Sequence, residues 1–146
     1  MKLFIAPQAF INYEGRILVL RESSKYKDGT NIGLYDVPGG RLKPEETFEQ
    51  GFKREVKEES GLDIEIDNPF YVWEWWPEVR EEKWHIIGVA FECFSKTNQV
   101  TLSPDHDDYQ WIDPKNLENA NIISDLKLAF QRYLEFKHKN SVTISK

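Results

Sequence analysis

The sequence predicts an α+β fold, formed by one domain that covers residues 1–146. Strand-like apolar segments lie on both sides of a helical segment that ends at Gly61, and a second helical segment begins at Ser124. A few helices among several strands, without a helix after every strand, are typical of α+β layering. A chain of 146 residues is long enough to bury a single hydrophobic core.

The composition is that of a soluble globular protein, with 40% hydrophobic and 30% charged residues. A net charge of −6 disfavours a DNA duplex as partner, because duplex binding needs many phosphate contacts from basic residues. A small phosphorylated ligand stays possible if cations are supplied locally.

The expected location is a reducing cytoplasm, because Cys93 is the only cysteine and no intrachain disulfide is possible. Cys93 lies in an apolar run and is predicted to be a core residue. The apolar N-terminal stretch is short and contains Pro7, which argues against a signal peptide. No run reaches the roughly 20 apolar residues of a membrane span, so no membrane partner is expected.

The first predicted elements are two strands, Leu3–Ile11 and Arg16–Arg21, joined by a turn at residues 12–15. The polar residues 23–33 predict a surface loop. Residues 34–37 form a short extended piece that leads into a glycine turn.

The first helix has clear signals at both ends. Thr47 and Gln50 have the spacing of a capping box, and Gly61 suits the left-handed C-cap. An apolar stripe is predicted to face the core and consists of Phe48, Phe52 and Val56.

Three carboxylates, Glu55, Glu58 and Glu59, share one face of this helix, within about 5–6 Å of one another at Cβ. Crowded like charges raise their own pKa values or attract a cation, and a hard divalent ion bound through oxygen fits best. The alternative is a solvated acidic helix whose glutamates pair with its cations, Lys53, Arg54 and Lys57.

The wider pattern resembles the Nudix box over residues 39–62. The matching positions are Gly40, Glu46, Arg54, Glu55, Val56, Glu58, Glu59, Gly61 and Leu62. This resemblance implies an α/β/α sandwich with a mixed β-sheet between helices. It also implies a hydrolase that cleaves a pyrophosphate linkage in a nucleoside diphosphate derivative, with Mg²⁺ as cofactor and Mn²⁺ as a possible substitute.

The site residues follow from the same resemblance. Glu55, Glu58 and Glu59 are implied metal ligands together with the backbone carbonyl of Gly39, and Arg54 and Glu46 are implied orienting partners. Catalytic roles are therefore expected for Glu55, Glu58, Glu59 and Arg54. The general base is left open between Glu58 and an aspartate of the segment 103–113, which offers Asp105, Asp107 and Asp108. The alternative for that segment is a solvated loop with an exposed His106.

Candidate substrate contacts lie outside the helix. A strand with a break at residues 67–69 is predicted over residues 64–76, and its Tyr71, Trp73 and Trp75 alternate on one face. These rings either stack on a nucleobase or pack in the core. The expected substrate-binding residues are Arg41, Trp73, Trp75, His85 and Asp108, with an edge histidine held by a hydrogen bond as the alternative for His85.

Residues 84–94 predict a central strand, in which Glu92 is expected to pair with Arg16 or Arg21. Asp113 and Pro114 suggest a short helix. The final helix begins at Ser124, ends near Lys139, and is followed by a loose tail from Asn140.

The expected substrate is a small-molecule nucleotide, most simply a nucleoside triphosphate, acted on by a monomer or homodimer. Dinucleoside polyphosphates, ADP-ribose, nucleotide sugars and capped or triphosphorylated RNA ends are alternative substrates, because the box does not distinguish them. A non-catalytic nucleotide-binding module and a structural Ca²⁺ or Mg²⁺ site are the competing classes of function.

Overall fold

A computed structural model of the chain describes the backbone of residues 1–144 and the side chains of residues 1–140. Its elements in order are β1 (Lys2–Tyr13), β2 (Arg16–Glu22), β3 (Tyr35–Asp36), α1 (Phe48–Ser60), β4 (Ile64–Trp75), β5 (Glu78–Val79), β6 (Glu82–Ser95), β7 (His106–Ile112) and α2 (Ser124–Ile144). Neither described helix is long and apolar enough to cross a membrane.

The strands form one mixed sheet, and the predicted fold class is confirmed. Its main path runs β3-β2-β1-β6-β4, while β7 pairs with β2 and β5 pairs with β6. The long β1 and β6 run parallel, whereas the other pairs are antiparallel. The strand predicted over residues 84–94 is therefore an interior strand, flanked by β1 and β4.

One helix covers each face of the sheet. Phe52 and Val56 of α1 are fully buried against one face, in a cluster that includes Ile11. The apolar stripe of α2 covers the other face, where Phe130 and Tyr133 pack beside Phe10. Phe48 differs from the prediction of a core residue, because it is 38% exposed, although its ring contacts the rings of Phe52 and Phe91.

Several predicted boundaries were wrong. The strand break at residues 67–69 is a pair of register shifts within a continuous β4. The short helix at Asp113 is a turn, in which the Asp113 carboxylate accepts the backbone N–H of Lys115 at 2.9 Å. The final helix continues to Ile144 instead of ending near Lys139. For the predicted loose tail, Ser145 and Lys146 lie outside the described residues.

The expected partners of Glu92 were also wrong. This glutamate is 3% exposed and accepts hydrogen bonds from the Tyr133 hydroxyl at 2.5 Å and from Lys137 Nζ at 3.2 Å. Both partners lie on α2, so hydrogen bonds to this carboxylate connect the helix to β6. Cys93 is buried as predicted, and burial raises the pKa of its thiol.

Candidate active site

A cavity of about 590 Å³ lies at one end of the sheet and is lined by residues of several strands, of α1 and of the first turn of α2. Its floor is formed by side chains of β1 and β6, including Ala6, Trp84 and Ile86. Most of the predicted site residues line it, namely Gly39, Arg41, Glu55, Glu58, Glu59, Trp73 and Trp75. Arg54, His85 and Asp108 are not among the lining residues.

Glu59 and Glu55 are the two largely enclosed carboxylates of the predicted metal site, with side chains that are 20% and 19% exposed. Oε1 of Glu59 accepts the backbone N–H of Gly39 at 2.8 Å, and its Oε2 lies 4.0 Å from Nε2 of His106. Burial raises the pKa of Glu59 well above its usual range, and the nearby Glu55 carboxylate adds to this rise. The carboxylate is thus desolvated, with a single backbone donor as its hydrogen-bond partner.

The glycine turn allows Glu55 to approach the backbone. A Cβ atom at Gly40 would collide with the Glu55 carboxylate, and one at Gly39 would collide with the carbonyl oxygen of Pro7. Burial also raises the pKa of Glu55, although Arg54 opposes the rise. The absence of side chains at residues 39 and 40 therefore explains how β1, the turn and α1 come so close together.

Arg54 organises the outer side of the helix. Its Nε and Nη2 donate to the Glu46 carboxylate at 2.5 and 2.8 Å, and its Nη1 lies 3.1 Å from a Glu58 oxygen. Glu58 is consequently turned towards Arg54, with a side chain that is 58% exposed. Within the described chain, no group of three or more His, Cys, Asp or Glu side chains is arranged to hold a metal ion.

The alternative of a solvated acidic helix describes this face only in part. Arg54 does pair with the glutamates, whereas Lys53 pairs with Glu49 and Lys57 pairs with Asp63. Glu55 and Glu59 line the cavity, and among the described residues neither pairs with a lysine, although Glu55 lies 3.1 Å from Nη2 of Arg54.

The aromatic row on β4 forms one wall of the cavity. Tyr71 stacks on Trp73 and Trp73 on Trp75, with ring centroids 5.5 and 5.8 Å apart. Trp73 and Trp75 line the cavity, whereas Tyr71 packs against the core. His85 instead contacts Glu74 at 2.7 Å through Nε2, which matches the alternative of a hydrogen-bonded edge histidine.

Arg41 is held between two rings and an acidic loop residue. Its guanidinium carbon lies 4.3 Å from the Trp84 ring centroid and 5.0 Å from that of Phe4. Its Nη2 is 3.8 Å from Asp28, which also contacts Arg80 at 2.8 Å. Arg41 is thus positioned at the cavity by cation–π and ionic contacts.

The acidic segment 103–113 contains β7, so it is not a solvated loop. Asp105 lines the cavity, whereas Asp107 binds Nε of Arg21 at 2.7 Å and Asp108 accepts a hydrogen bond from the Tyr35 hydroxyl. The interpretation of His106 as an exposed imidazole was wrong. Its side chain is 13% exposed, and burial lowers its pKa.

Among the cavity residues that the sequence analysis did not predict are two titratable ones close to the glutamates, His106 and Asp36. Asp36 is an acidic residue between the buried Tyr35 and Val37 of the short β3 segment, a position that was a weak signal of an enclosed carboxylate. Burial raises the pKa of Asp36 to about 7. His106 had no comparable signal, because its neighbours Asp105 and Asp107 suggest a solvated segment.

The cavity is strongly acidic. Among the described residues, nine carboxylate side chains line it and Arg41 is the one Lys or Arg that does so. An anionic ligand would be repelled by this lining unless cations accompanied it.

Comparisons with known proteins agree with this geometry. The chain is 27% identical over 120 residues to the nucleoside triphosphatase NudI of Klebsiella pneumoniae (strain 342), covering 77% of this chain and 83% of that protein. The crystal structure of a MutT protein from Methanosarcina mazei Go1 has a TM-score of 0.78 at 28% identity, and covers 93% of this chain and 96% of that one.

A second crystal structure, of a MutT Nudix hydrolase from Burkholderia pseudomallei, shares the fold with a TM-score of 0.73 at 19% identity, covering 90% of this chain and 98% of that one. A family model described as the NUDIX domain matches residues 7–133. Because this match spans most of the chain, including the glycine turn, α1 and the cavity walls, the chain belongs to the Nudix hydrolase family.

Proposed function

We propose that this protein is a Mg²⁺-dependent pyrophosphohydrolase that acts on nucleoside triphosphates. The observation that carries the proposal is one cavity in which desolvated glutamates of the Nudix helix and partly buried tryptophan side chains occur together. The first group suits a hydrated divalent cation with phosphate, and the second suits a nucleobase.

The donor set fits Mg²⁺. Glu55 and Glu59 offer oxygen ligands that are desolvated, and Glu59 has only one backbone donor to neutralise it. Together with Glu58 and the Gly39 carbonyl, they would hold the ion. Glu58 would then have to release its contact with Arg54 and bind the ion instead. Mg²⁺, or Mn²⁺ in its place, would supply neutralisation of phosphate charge and a more acidic bound water.

The chain's own residues position these groups. Arg54 holds Glu46 and Glu58 through its guanidinium, which fixes the side of the helix that flanks the cavity. Of the four carboxylates considered as general base, Glu58 and Asp105 line the cavity. Asp107 and Asp108 are engaged by Arg21 and Tyr35, so Glu58 and Asp105 are the better candidates.

The nucleoside and phosphate ends have separate partners. A base stacked on Trp75, at the end of the aromatic row, would gain about 1–3 kcal/mol. Arg41, next to the glycine turn, would contact the phosphates. The triphosphate is favoured over the alternative substrates by the compact cavity and by the name of the Klebsiella relative, a nucleoside triphosphatase.

The test is a panel of nucleoside triphosphates, dinucleoside polyphosphates, ADP-ribose and nucleotide sugars, each with Mg²⁺ or with EDTA. We expect Mg²⁺-dependent release of a nucleoside monophosphate and pyrophosphate from at least one triphosphate, with ¹⁸O from labelled water in one product. Tight nucleotide binding without turnover on any compound would support the non-catalytic module instead.

A further inference from the structure

Two guanidinium groups converge on one carboxylate at the edge of the cavity. Asp28, in the loop of residues 23–33, lines the cavity with a side chain that is 15% exposed. Its Oδ1 lies 2.8 Å from Nη2 of Arg80, and its Oδ2 lies 3.8 Å from Nη2 of Arg41. Although Oδ1 is removed from water and close to Arg80, no donor among the described residues is aligned for a hydrogen bond to it. The two arginines therefore form an anion site that this carboxylate fills imperfectly.

Arg80 reaches this site from a strained turn. Val79 of β5 pairs with Glu82 of β6, so Arg80 and Glu81 form a two-residue hairpin turn. Their φ angles are 51° and 63°, in the left-handed region that Asn and Gly usually occupy in such turns. Strained backbone of this kind occurs often at ligand-binding sites, so we ask what the side chain of Arg80 binds.

Arg41 connects the same site to the Nudix helix. It follows Gly40, where a Cβ atom would collide with the Glu55 carboxylate. Its guanidinium carbon lies 4.3 Å from the ring centroid of Trp84, on the β6 strand of the hairpin that carries Arg80. The two arginines thus lie beside the glutamates expected to hold the cation, and a phosphate chain bound to that cation would extend towards them.

Asp28 is the member of this group that can be replaced. It belongs to a loop and not to a helix or strand. Within the described chain, it is the one side chain of residues 24–30 that forms an ion pair or hydrogen bond outside the loop 23–33. Another anion can therefore take its place between Arg41 and Arg80 without breaking a pair of strands.

We propose that Arg80 and Arg41 bind the terminal phosphate of the triphosphate, and that Asp28 occupies this phosphate site until the substrate binds. A phosphate group presents oxygens in a similar way to a carboxylate and carries more negative charge, so it pairs more strongly with two guanidinium groups. This inference rests on the proposed function, because it assigns the phosphate end of the same substrate. It adds Arg80, from outside the cavity lining, as a substrate-binding residue and Asp28 as a competitor.

The direct test compares KM and kcat for the preferred nucleoside triphosphate in Arg80→Gln and Asp28→Asn. Arg80→Gln should raise KM by about tenfold, the value of a hydrogen bond to a charged group, and leave kcat nearly unchanged. Asp28→Asn should lower KM, because it removes the competing carboxylate. If the ion pair only held the loop in place, both variants would shift KM in the same direction, since both break the same contact.

Lys83→Gln and Glu81→Gln are the matched controls. Each removes one charge from the same hairpin, at an exposed position outside the cavity lining. Both should keep the wild-type KM. Shifts in these controls as large as those in Arg80→Gln and Asp28→Asn would overturn the inference, because they would assign the effect to the general charge of the hairpin.

Calorimetric titration with inorganic tripolyphosphate and Mg²⁺ separates this inference from the proposed function, because it requires neither a base nor hydrolysis. If no nucleoside triphosphate is hydrolysed, the proposed function fails, and the phosphate site is then decided by these affinities. Weaker binding to Arg80→Gln by about tenfold, together with tighter binding to Asp28→Asn, would support the inference. No binding to the wild type, equal affinity of all three proteins, or shifts in the same direction in both variants would overturn it.

Discussion

Three carboxylates of this molecule, those of Glu92, Asp36 and Glu59, are largely removed from water. Glu92 has two side-chain partners from α2, whereas Asp36 and Glu59 each have one backbone N–H. A buried acid with few donors favours its protonated form and costs stability when ionised. Glu92 is thus part of the core. Asp36 and Glu59 lie in surroundings that destabilise their ionised forms, and a bound cation or hydrogen-bond donor would offset this cost.

Asp36→Asn is expected to stabilise the protein at alkaline pH. The pKa of Asp36 is raised from 3.8 to about 7, so the folded state holds a proton that the unfolded state releases over this range. The stability linked to this proton is complete below pH about 4 and is lost as pH rises through 7. The variant lacks this loss, so its advantage in the free energy of unfolding should grow by on the order of 2–4 kcal/mol between pH 4 and pH 8.

Urea denaturation at pH 4, 6 and 8 would measure this change, with Asp67→Asn as the control at an exposed position. An equal advantage of Asp36→Asn at all three pH values would contradict the assignment of an enclosed carboxylate.

Tyr133→Phe is expected to destabilise the protein. The variant removes the hydroxyl that donates to Glu92 and leaves this buried carboxylate with Lys137 alone. The expected loss in the free energy of unfolding is about 1–3 kcal/mol, the cost of a buried acceptor that has lost its donor. Tyr109→Phe, at a side chain that is 39% exposed, is the control and should change stability little. A loss of the same size in both variants would contradict the role of Glu92.

At the scale of elements, the glycine turn and α1 form the unit that places the glutamates. Thr47 and Gln50 form the predicted capping box, and Gly61 ends the helix with φ of 74°. These caps fix the register of α1, and the turn then fixes how closely β1 and α1 approach.

Gly40→Ala tests this approach. The new Cβ atom would displace the Glu55 carboxylate, so kcat/KM for the preferred nucleotide should fall by about tenfold or more, because a small misplacement of a catalytic group is costly. Gly15→Ala is the control, because residue 15 has φ of 86° in the turn after β1 and lies outside the cavity lining. It should lower stability without lowering kcat/KM. Full activity in Gly40→Ala would show that Glu55 is not needed at its observed position.

The elements that the sequence predicted well have local signals. The capping box and Gly61 defined α1, and the turn at residues 12–15 defined the β1-β2 hairpin. The predicted helix at Asp113 failed because the same carboxylate also caps a turn. β7 was not predicted, because its pairing with β2 is a tertiary interaction that its acidic residues do not reveal.

The same limit applies to the site. The spacing on α1 correctly placed Glu55 and Glu59 at one cavity, but not the rotation of Glu58 towards Arg54. Asp36 and His106 line the same cavity as these glutamates because β3 and β7 both pair with β2. Contacts between distant segments of this kind require the folded chain.

At the scale of the whole molecule, one part of the sheet contributes to the hydrophobic core and another part to the cavity. Where α1 and α2 cover its two faces, the sheet forms the core, and elsewhere it lines the cavity together with residues of α1 and the first turn of α2. The cavity is closed by segments from β2 to α2, so almost the entire chain contributes to the proposed substrate site. The central claim is that the glutamates of α1 hold the cation that makes this acidic cavity fit for a triphosphate.

The most direct test is kcat/KM for the preferred nucleoside triphosphate as a function of Mg²⁺ concentration, in the wild type, Glu59→Gln and Glu49→Gln. Glu49 lies on the same helix, pairs with Lys53 and is outside the cavity lining, so it is the matched control. Glu59→Gln should lose about 100-fold or more, since even partners of metal ligands are worth 10–100-fold. Glu49→Gln should keep the wild-type curve. Equal Mg²⁺-dependent turnover in all three proteins would contradict the central claim.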